Sequence, residues 1–285
     1  MMNNKINELY QLSEKVLKQL EAWLPPIPEP INWNAKAYKW FKNGQNGYLK
    51  PIFNIDKINY NDLLFIDKQK KIIDSNTKNF IENKLSNNVL MTGARGTGKS
   101  SLVKAILNKY SDCGLRLIEV NKSDLKDLNQ IVDLIRLRQE KFIIFCDDLS
   151  FEEGDVDYKS LKSLLDGSVS SNNDNVIIYA TSNRRHLLPE YMKDNLHSNN
   201  EEIHPGEAVE EKISLSERFG IWLAFYPFTQ DSYLAIVEYW LHKLDINYDS
   251  IKKSKKYALQ WAIERGSRSG RIAYQFAKYW SSVDE

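Results

Sequence analysis

The residues Gly93-Ala94-Arg95-Gly96-Thr97-Gly98-Lys99-Ser100 match G-x-x-x-x-G-K-[ST] at every fixed position. Glycines at that spacing let the backbone wrap an anion so that several N–H groups point inward. A helix starting at the lysine adds its positive end to the same anion. Lys99 then brings a charge to the β- and γ-phosphates of a nucleotide, and the Ser100 hydroxyl is placed to ligate Mg²⁺. The expected nucleotide-binding residues are therefore Gly93, Ala94, Arg95, Gly96, Thr97, Gly98, Lys99, Ser100 and Ser101. The flanks suit the motif, because Val89–Thr92 reads as a short apolar strand and Ser100–Tyr110 as a helix.

A phosphate grip needs a further metal ligand and a group that acts on water. Phe142-Ile143-Ile144-Phe145-Cys146 is an apolar run that ends in Asp147-Asp148. A buried strand of this kind projects its last residues at the edge where parallel sheets bind ligands. Asp147 is the expected Mg²⁺ ligand, acting through water, and Asp148 the expected catalytic carboxylate that orients and deprotonates attacking water. The four histidines (His186, His197, His204 and His242) show no metal-ligand spacing. Cys113 and Cys146 read as small buried thiols, which persist unpaired in a reducing compartment.

The whole chain sets the bounds. Its 285 residues allow one sizeable domain with small appendages. A formal net charge of +1 argues against a strongly basic nucleic-acid binder and leaves room for a local basic patch. The N-terminus lacks the apolar core of a signal peptide, and no apolar run is long enough to span a bilayer, so a cytoplasmic protein without membrane contact is expected.

Around the motifs, apolar strands alternate with helices. Leu115–Val120, Phe142–Cys146, Val176–Ala180 and Ile221–Phe225 read as strands. Asn76–Leu85, Asp124–Arg138 and Tyr158–Val169 carry helical spacing. This pattern predicts an α/β fold, a parallel sheet covered by helices on both faces. After Pro227 it turns wholly helical over Gln230–Leu244, Ser250–Arg265 and Gly270–Ser282. Ahead of the motifs, Asn4–Leu24 predicts a helix stopped by the proline run Pro25–Pro30. Asn43–Gly47 reads as a turn, Ile52–Ile58 as a short strand and His197–Gly206 as a surface loop. The expected division is 1–60, a mostly helical segment with a Pro-rich linker; 61–227, the α/β nucleotide-binding domain; and 228–285, a helical lid.

With these features in place the sequence resembles the AAA+ P-loop ATPases over roughly residues 63 to 280. Leu64-Phe65-Ile66-Asp67-Lys68-Gln69 looks like the segment that lies beside the adenine in that class. Thr181-Ser182-Asn183 ends the strand where the class carries a polar sensor, which implies that Asn183 bonds the γ-phosphate or the nucleophilic water. Leu215-Ser216-Glu217-Arg218-Phe219-Gly220 resembles the box bearing an arginine finger, so the resemblance implies that Arg218 reaches a neighbouring subunit's nucleotide. Gly266-Ser267-Arg268-Ser269-Gly270-Arg271-Ile272-Ala273 looks like the second sensor motif, with Arg271 the better fit and Arg268 its rival.

Within that class the nearest likeness is to a bacterial family catalogued as a domain of unknown function. Gly206–Lys212, Ser182–Leu187 and the Asp147-Asp148 pair carry that likeness. The wider class more often has Asp-Glu at the acidic pair, and Asp148 reaches about 1.5 Å less far than a glutamate. Arg184-Arg185-His186 reads as a solvated basic turn.

The resemblance implies an ATPase that uses ATP and Mg²⁺, works as a homo-oligomer with a shared site, and moves a protein partner or substrate. Two alternatives stay open at this point: a P-loop small-molecule or nucleotide kinase, and a DNA-associated ATPase of the initiator or clamp-loader type.

Overall fold

The computed structural model describes residues 2–23, 30–43, 46–151, 157–166, 174–184, 187 and 215–283. A seven-stranded sheet runs through it in the order β2-β1-β4-β5-β6-β3-β7. The strands are β1 (Ala37–Asn43), β2 (Asn46–Ile52), β3 (Val89–Gly93), β4 (Leu115–Glu119), β5 (Lys141–Cys146), β6 (Val176–Ser182) and β7 (Ile221–Phe225). Every neighbouring pair is parallel except β1 and β2. The central strands are apolar throughout because both faces of the sheet are covered.

Side-chain alternation divides the core in two. Leu90, Ile118, Ile144 and Ile178 face one layer, which contains α4 (Leu128–Ile135) and α5 (Asp157–Leu165). Val89, Met91, Ile143 and Tyr179 face the other, built from α2 (Asp67–Ile81) and α3 (Lys99–Tyr110). These elements match the α/β sandwich expected from the apolar runs. The last three helices, α6 (Gln230–Lys243), α7 (Tyr248–Glu264) and α8 (Gly270–Val283), enclose a core of their own around Tyr233, Ile236, Leu241, Ala258 and Phe276. Their starts are capped: the Thr229 side chain accepts from Ser232 N–H and the Asn247 side chain from Ser250 N–H.

The N-terminal region differs from expectation. Among the described residues of 1–60, the larger part is not helical. After α1 (Met2–Trp23) the chain forms the β1–β2 hairpin, which joins the edge of the main sheet beside β4. The expected strand over Ile52–Ile58 is displaced, since β2 ends at Ile52 and residues 53–59 have no regular structure. The cause is tertiary. Tyr38 and Trp40 point to the same side of β1 and bury completely, and Trp40 Nε1 donates to Asp127 Oδ2 at 3.2 Å. Lys42 Nζ adds a 3.0 Å bond to Asp127 Oδ1. Pro51 is tolerated because β2 is an edge strand and one missing N–H there disrupts no ladder on its outer side.

Several expectations fall wholly or partly outside the described residues: the Pro25–Pro30 stop, the tip of the Asn43–Gly47 turn, the end of the Tyr158–Val169 helix, the loop over His197–Gly206 and the segment Gly206–Lys212. No helix among the described residues is long and apolar enough to cross a membrane.

The hairpin is expected to be part of the cooperative fold. Trp40→Ala should therefore destabilise the whole protein by about 3–5 kcal/mol, read as a shifted urea midpoint in a single transition followed by circular dichroism. A separate early transition at unchanged global midpoint would show the hairpin to be an independent appendage.

Candidate nucleotide-binding site

Three strand ends converge at the C-terminal edge of the sheet. β3 leads into the glycine-rich loop, β5 into Asp147-Asp148, and β6, which lies between them, carries Thr181 near its end and leads into Asn183. The loop takes left-handed or extended-left geometry at Gly93 (φ 128°), Gly96 (φ 73°) and Gly98 (φ 101°), where a side chain would be strained. At Gly93 the constraint is also steric, since a Cβ would lie 1.9 Å from the Phe225 carbonyl oxygen. Gly98 then caps the start of α3, whose unpaired N–H groups and dipole face the same space.

Lys99 is buried. Its ammonium donates to the Gly93 and Ala94 carbonyls at 2.7 and 2.8 Å and to Asn183 Oδ1 at 3.1 Å. Burial holds its pKa below the usual lysine value, the Asp147 and Asp148 charges oppose that shift, and Arg95 and Arg271 add to it. Ser100 Oγ donates to Asp147 Oδ1 at 2.6 Å. The same carboxylate oxygen accepts from Thr181 Oγ1 at 2.5 Å, and Thr181 Oγ1 in turn accepts from Asp148 N–H at 2.9 Å.

Asp148 has φ 53°, a left-handed conformation that aspartate tolerates better than most residues. Leu149 N–H donates to the Thr181 carbonyl at 2.7 Å and locks this turn against β6. The turned carboxylate accepts from the Asn183 amide, and the Arg95 guanidinium lies 4.0 Å away on the exposed side. Thr181 lies in the strand ending Thr181-Ser182-Asn183, which by itself assigns its hydroxyl no role. Its one signal is its spacing of two from Asn183, which follows directly on β6.

A cavity of about 800 Å³ opens over these groups, within the range of small-molecule sites. Its polar floor includes Arg95–Ser101, Asp147, Asp148, Thr181 and Asn183. Its apolar lining comes from Leu63, Leu64 and Ile66 ahead of α2 and from Phe228, Ile236 and Trp240 of the lid, with Asp56, Lys57 and Asp62 also on the wall. The AAA+ resemblance covers Leu64 and Ile66 but not Phe228, Ile236 and Trp240, because helical spacing does not say which helix closes over which loop. Arg271 lines this cavity from the first turn of α8, whereas Arg268 is exposed and is not among the residues that line it.

Arg218 also lies away from the cavity. Leu215 and Phe219 anchor its box in the core, and its guanidinium pairs with Asp166. Arg184 donates to the Phe151 carbonyl at 3.3 Å, while Arg185 and His186 lie outside the described residues.

Two oxygens, Ser100 Oγ and Asp147 Oδ1, sit together at the mouth of the loop. Among the described residues no cage of three or more His, Cys, Asp or Glu forms. That donor set fits Mg²⁺, which takes one or two protein ligands and leaves its remaining positions to water and phosphate.

A parallel sheet with a glycine-rich loop after β3, acids after β5, a polar strand end between them and a three-helix lid defines an AAA+ P-loop NTPase fold. The chain belongs to the family described as "Protein of unknown function (DUF815)", whose model matches residues 33–283. Among solved structures it is similar to a point mutant of Thermotoga maritima RuvB, with 16% identity, 78% of this chain and 64% of that one covered, and a TM-score of 0.51. It is also similar to a structure described as a DNA replication initiation factor, with 13% identity, 80% and 65% coverage, and a TM-score of 0.49. The chain thus spans less than two thirds of the length of either structure. No curated protein matched in the sequence comparison.

Gly93→Ala tests the geometry of the loop. Left-handed strain at a non-glycine costs about 1–3 kcal/mol, and the overlap with the Phe225 carbonyl adds to it. The expected result is a lowered denaturant midpoint together with loss of fluorescent-nucleotide binding; unchanged stability and binding would show that the loop relaxes freely.

Proposed function

We propose that this protein binds ATP in the cavity between the sheet edge and the lid, hydrolyses it with Mg²⁺, and passes the resulting lid movement to a macromolecular partner. The observation that carries the reading is the convergence on one cavity of Lys99, Ser100, Asp147, Asp148, Asn183 and Arg271, from four separate parts of the chain. The apolar lining suits a base, and the loop N–H groups with the start of α3 suit the phosphates.

Each residue has a task in this reading. Lys99 exchanges the Gly93 and Ala94 carbonyls for phosphate oxygens, and its burial makes that exchange favourable, because a dianionic partner restores the charge balance it lacks. Asn183 already joins Lys99 to Asp148, so it is placed to report phosphate contact to the catalytic carboxylate. Asp148 accepts a proton from attacking water. Mg²⁺ held by Ser100 and Asp147 would neutralise phosphate charge. Arg271 supplies positive charge from the lid, coupling lid position to the γ-phosphate. Arg218, which does not line its own cavity, serves the site of a neighbouring copy, and the working unit is then a homo-oligomer.

ATP turnover measured across protein concentrations separates these roles. Specific activity should rise with concentration. Lys99→Ala should lose nucleotide binding. Asp148→Asn should bind normally and turn over about 10²–10⁴-fold more slowly, and Arg218→Ala should bind normally and lose about 10³-fold in rate. Concentration-independent turnover indifferent to Arg218 would remove the shared site and favour a kinase-like enzyme with a self-contained pocket.

A further inference from the structure

The formal charge of +1 conceals an uneven distribution. Residues 248–283, which form α7 and α8, hold eight Lys and Arg against two acids, Asp249 and Glu264. Some of these cations have partners or other tasks: Lys255 pairs with Glu238 at 3.0 Å, and Arg271 faces the nucleotide cavity. Lys252, Lys253 and Lys256 are exposed on α7 and form no ion pair among the described residues.

Beside them lies a row of rings. Lys253, Tyr257 and Trp261 recur every fourth residue along one winding stripe of α7, continued by Arg265 at its C-cap, about 18 Å in all at 1.5 Å per residue. Tyr279 of α8 stacks on Trp261 with centroids 4.7 Å apart, and Trp280 sits 5.1 Å from Tyr257. The Arg265 guanidinium lies 3.3 Å from the centre of the Trp261 ring, with Glu264 at 3.6 Å as its acidic neighbour. Tyr257 is 54% exposed and Tyr279 49%, and neither belongs to the buried cluster of the lid.

Lysines alone would suit any polyanion, and the rings narrow the choice. Unstacked bases offer flat faces to exposed aromatics while their phosphates meet the adjacent ammonium groups. A duplex hides its base faces, and an acidic peptide or a lipid headgroup has none. We propose that the α7–α8 face of the lid binds single-stranded nucleic acid. The proposal names the partner in the functional reading above and depends on that reading only for coupling to ATP, because the surface is separate from Lys99 and the cavity floor.

Fluorescence anisotropy of the full chain with labelled oligothymidine, from about 50 to 200 mM salt, tests it. Wild type should bind the single strand more tightly than the same length of duplex. Replacing Lys252, Lys253 and Lys256 together with Gln should lower the log–log salt slope by about 2. Tyr257→Ala and Tyr279→Ala should each weaken binding about tenfold at unchanged salt slope. Lys99→Ala should bind the oligonucleotide like wild type, which keeps failure of the ATP reading distinct from failure of this one. The variants' melting curves guard against misfolding, and Tyr257→Phe should retain affinity where Tyr257→Ala does not. Equal affinity for duplex, preference for anionic vesicles over the oligonucleotide, indifference to the ring and lysine substitutions, or no binding by wild type would each overturn the proposal.

Discussion

Ala94 N–H donates to the Phe225 carbonyl at 3.2 Å, and Gly270 N–H donates to the Gly96 carbonyl at 3.0 Å. These two backbone bonds hold the glycine-rich loop from opposite sides, one from β7 and one from the first turn of the last helix. No bulk fits in either gap: a Cβ on Gly96 would approach Ser269 Oγ to 2.7 Å, just as one on Gly93 would meet Phe225. The loop is thus a joint between the sheet and the lid as well as an anion cradle. A change in its shape must be felt by α8, and Arg271 sits one residue beyond Gly270.

A second tie connects the lid to the entrance of the cavity. Asp62 accepts from Tyr239 Oη at 2.7 Å and from Lys243 Nζ at 2.6 Å, which joins the short turn ahead of α2 to α6. The bond to Asp62 raises the pKa of both Tyr239 and Lys243, so both donors keep their protons throughout the neutral range. The cavity draws its apolar lining from both the α2 side and the lid. Filling it presses on residues from the sheet side and the lid side together, which is the physical requirement for a ligand to bias their relative position.

The acid pair shows how one strand order builds a site. Because β6 separates β5 from β3, Asp147 cannot reach the loop through backbone pairing. Thr181 fills the interval. Its hydroxyl donates to Asp147 and accepts from Asp148 N–H, orienting both acids with a single side chain. Asn183, two residues on, spans the remaining distance between Asp148 and Lys99. The polar centre is a connected network in which Lys99 and Thr181 are buried and both acids are open to the cavity.

The local part of this architecture was legible in the residues themselves. Four-to-six-residue apolar runs predict buried strands because only a strand covered on both faces needs continuous hydrophobicity. The G-x-x-x-x-G-K-S pattern predicts its own loop because few backbones other than one rich in glycine can take those φ values. Asp147 and Asp148 were visible as the end of such a run. What sequence could not supply were pairings between distant segments. The β1–β2 hairpin docks on the sheet through β4 and through Trp40, which bonds Asp127 across 87 residues, a pairing that the local sequence does not show. The lid's contribution to the cavity, the selection of Arg271 over Arg268 as the residue that faces it, the role of Thr181, and the alignment of rings and lysines on α7 and α8 were decided by tertiary packing. Periodicity determines which face of an element is buried, and only the packed structure determines what that face meets.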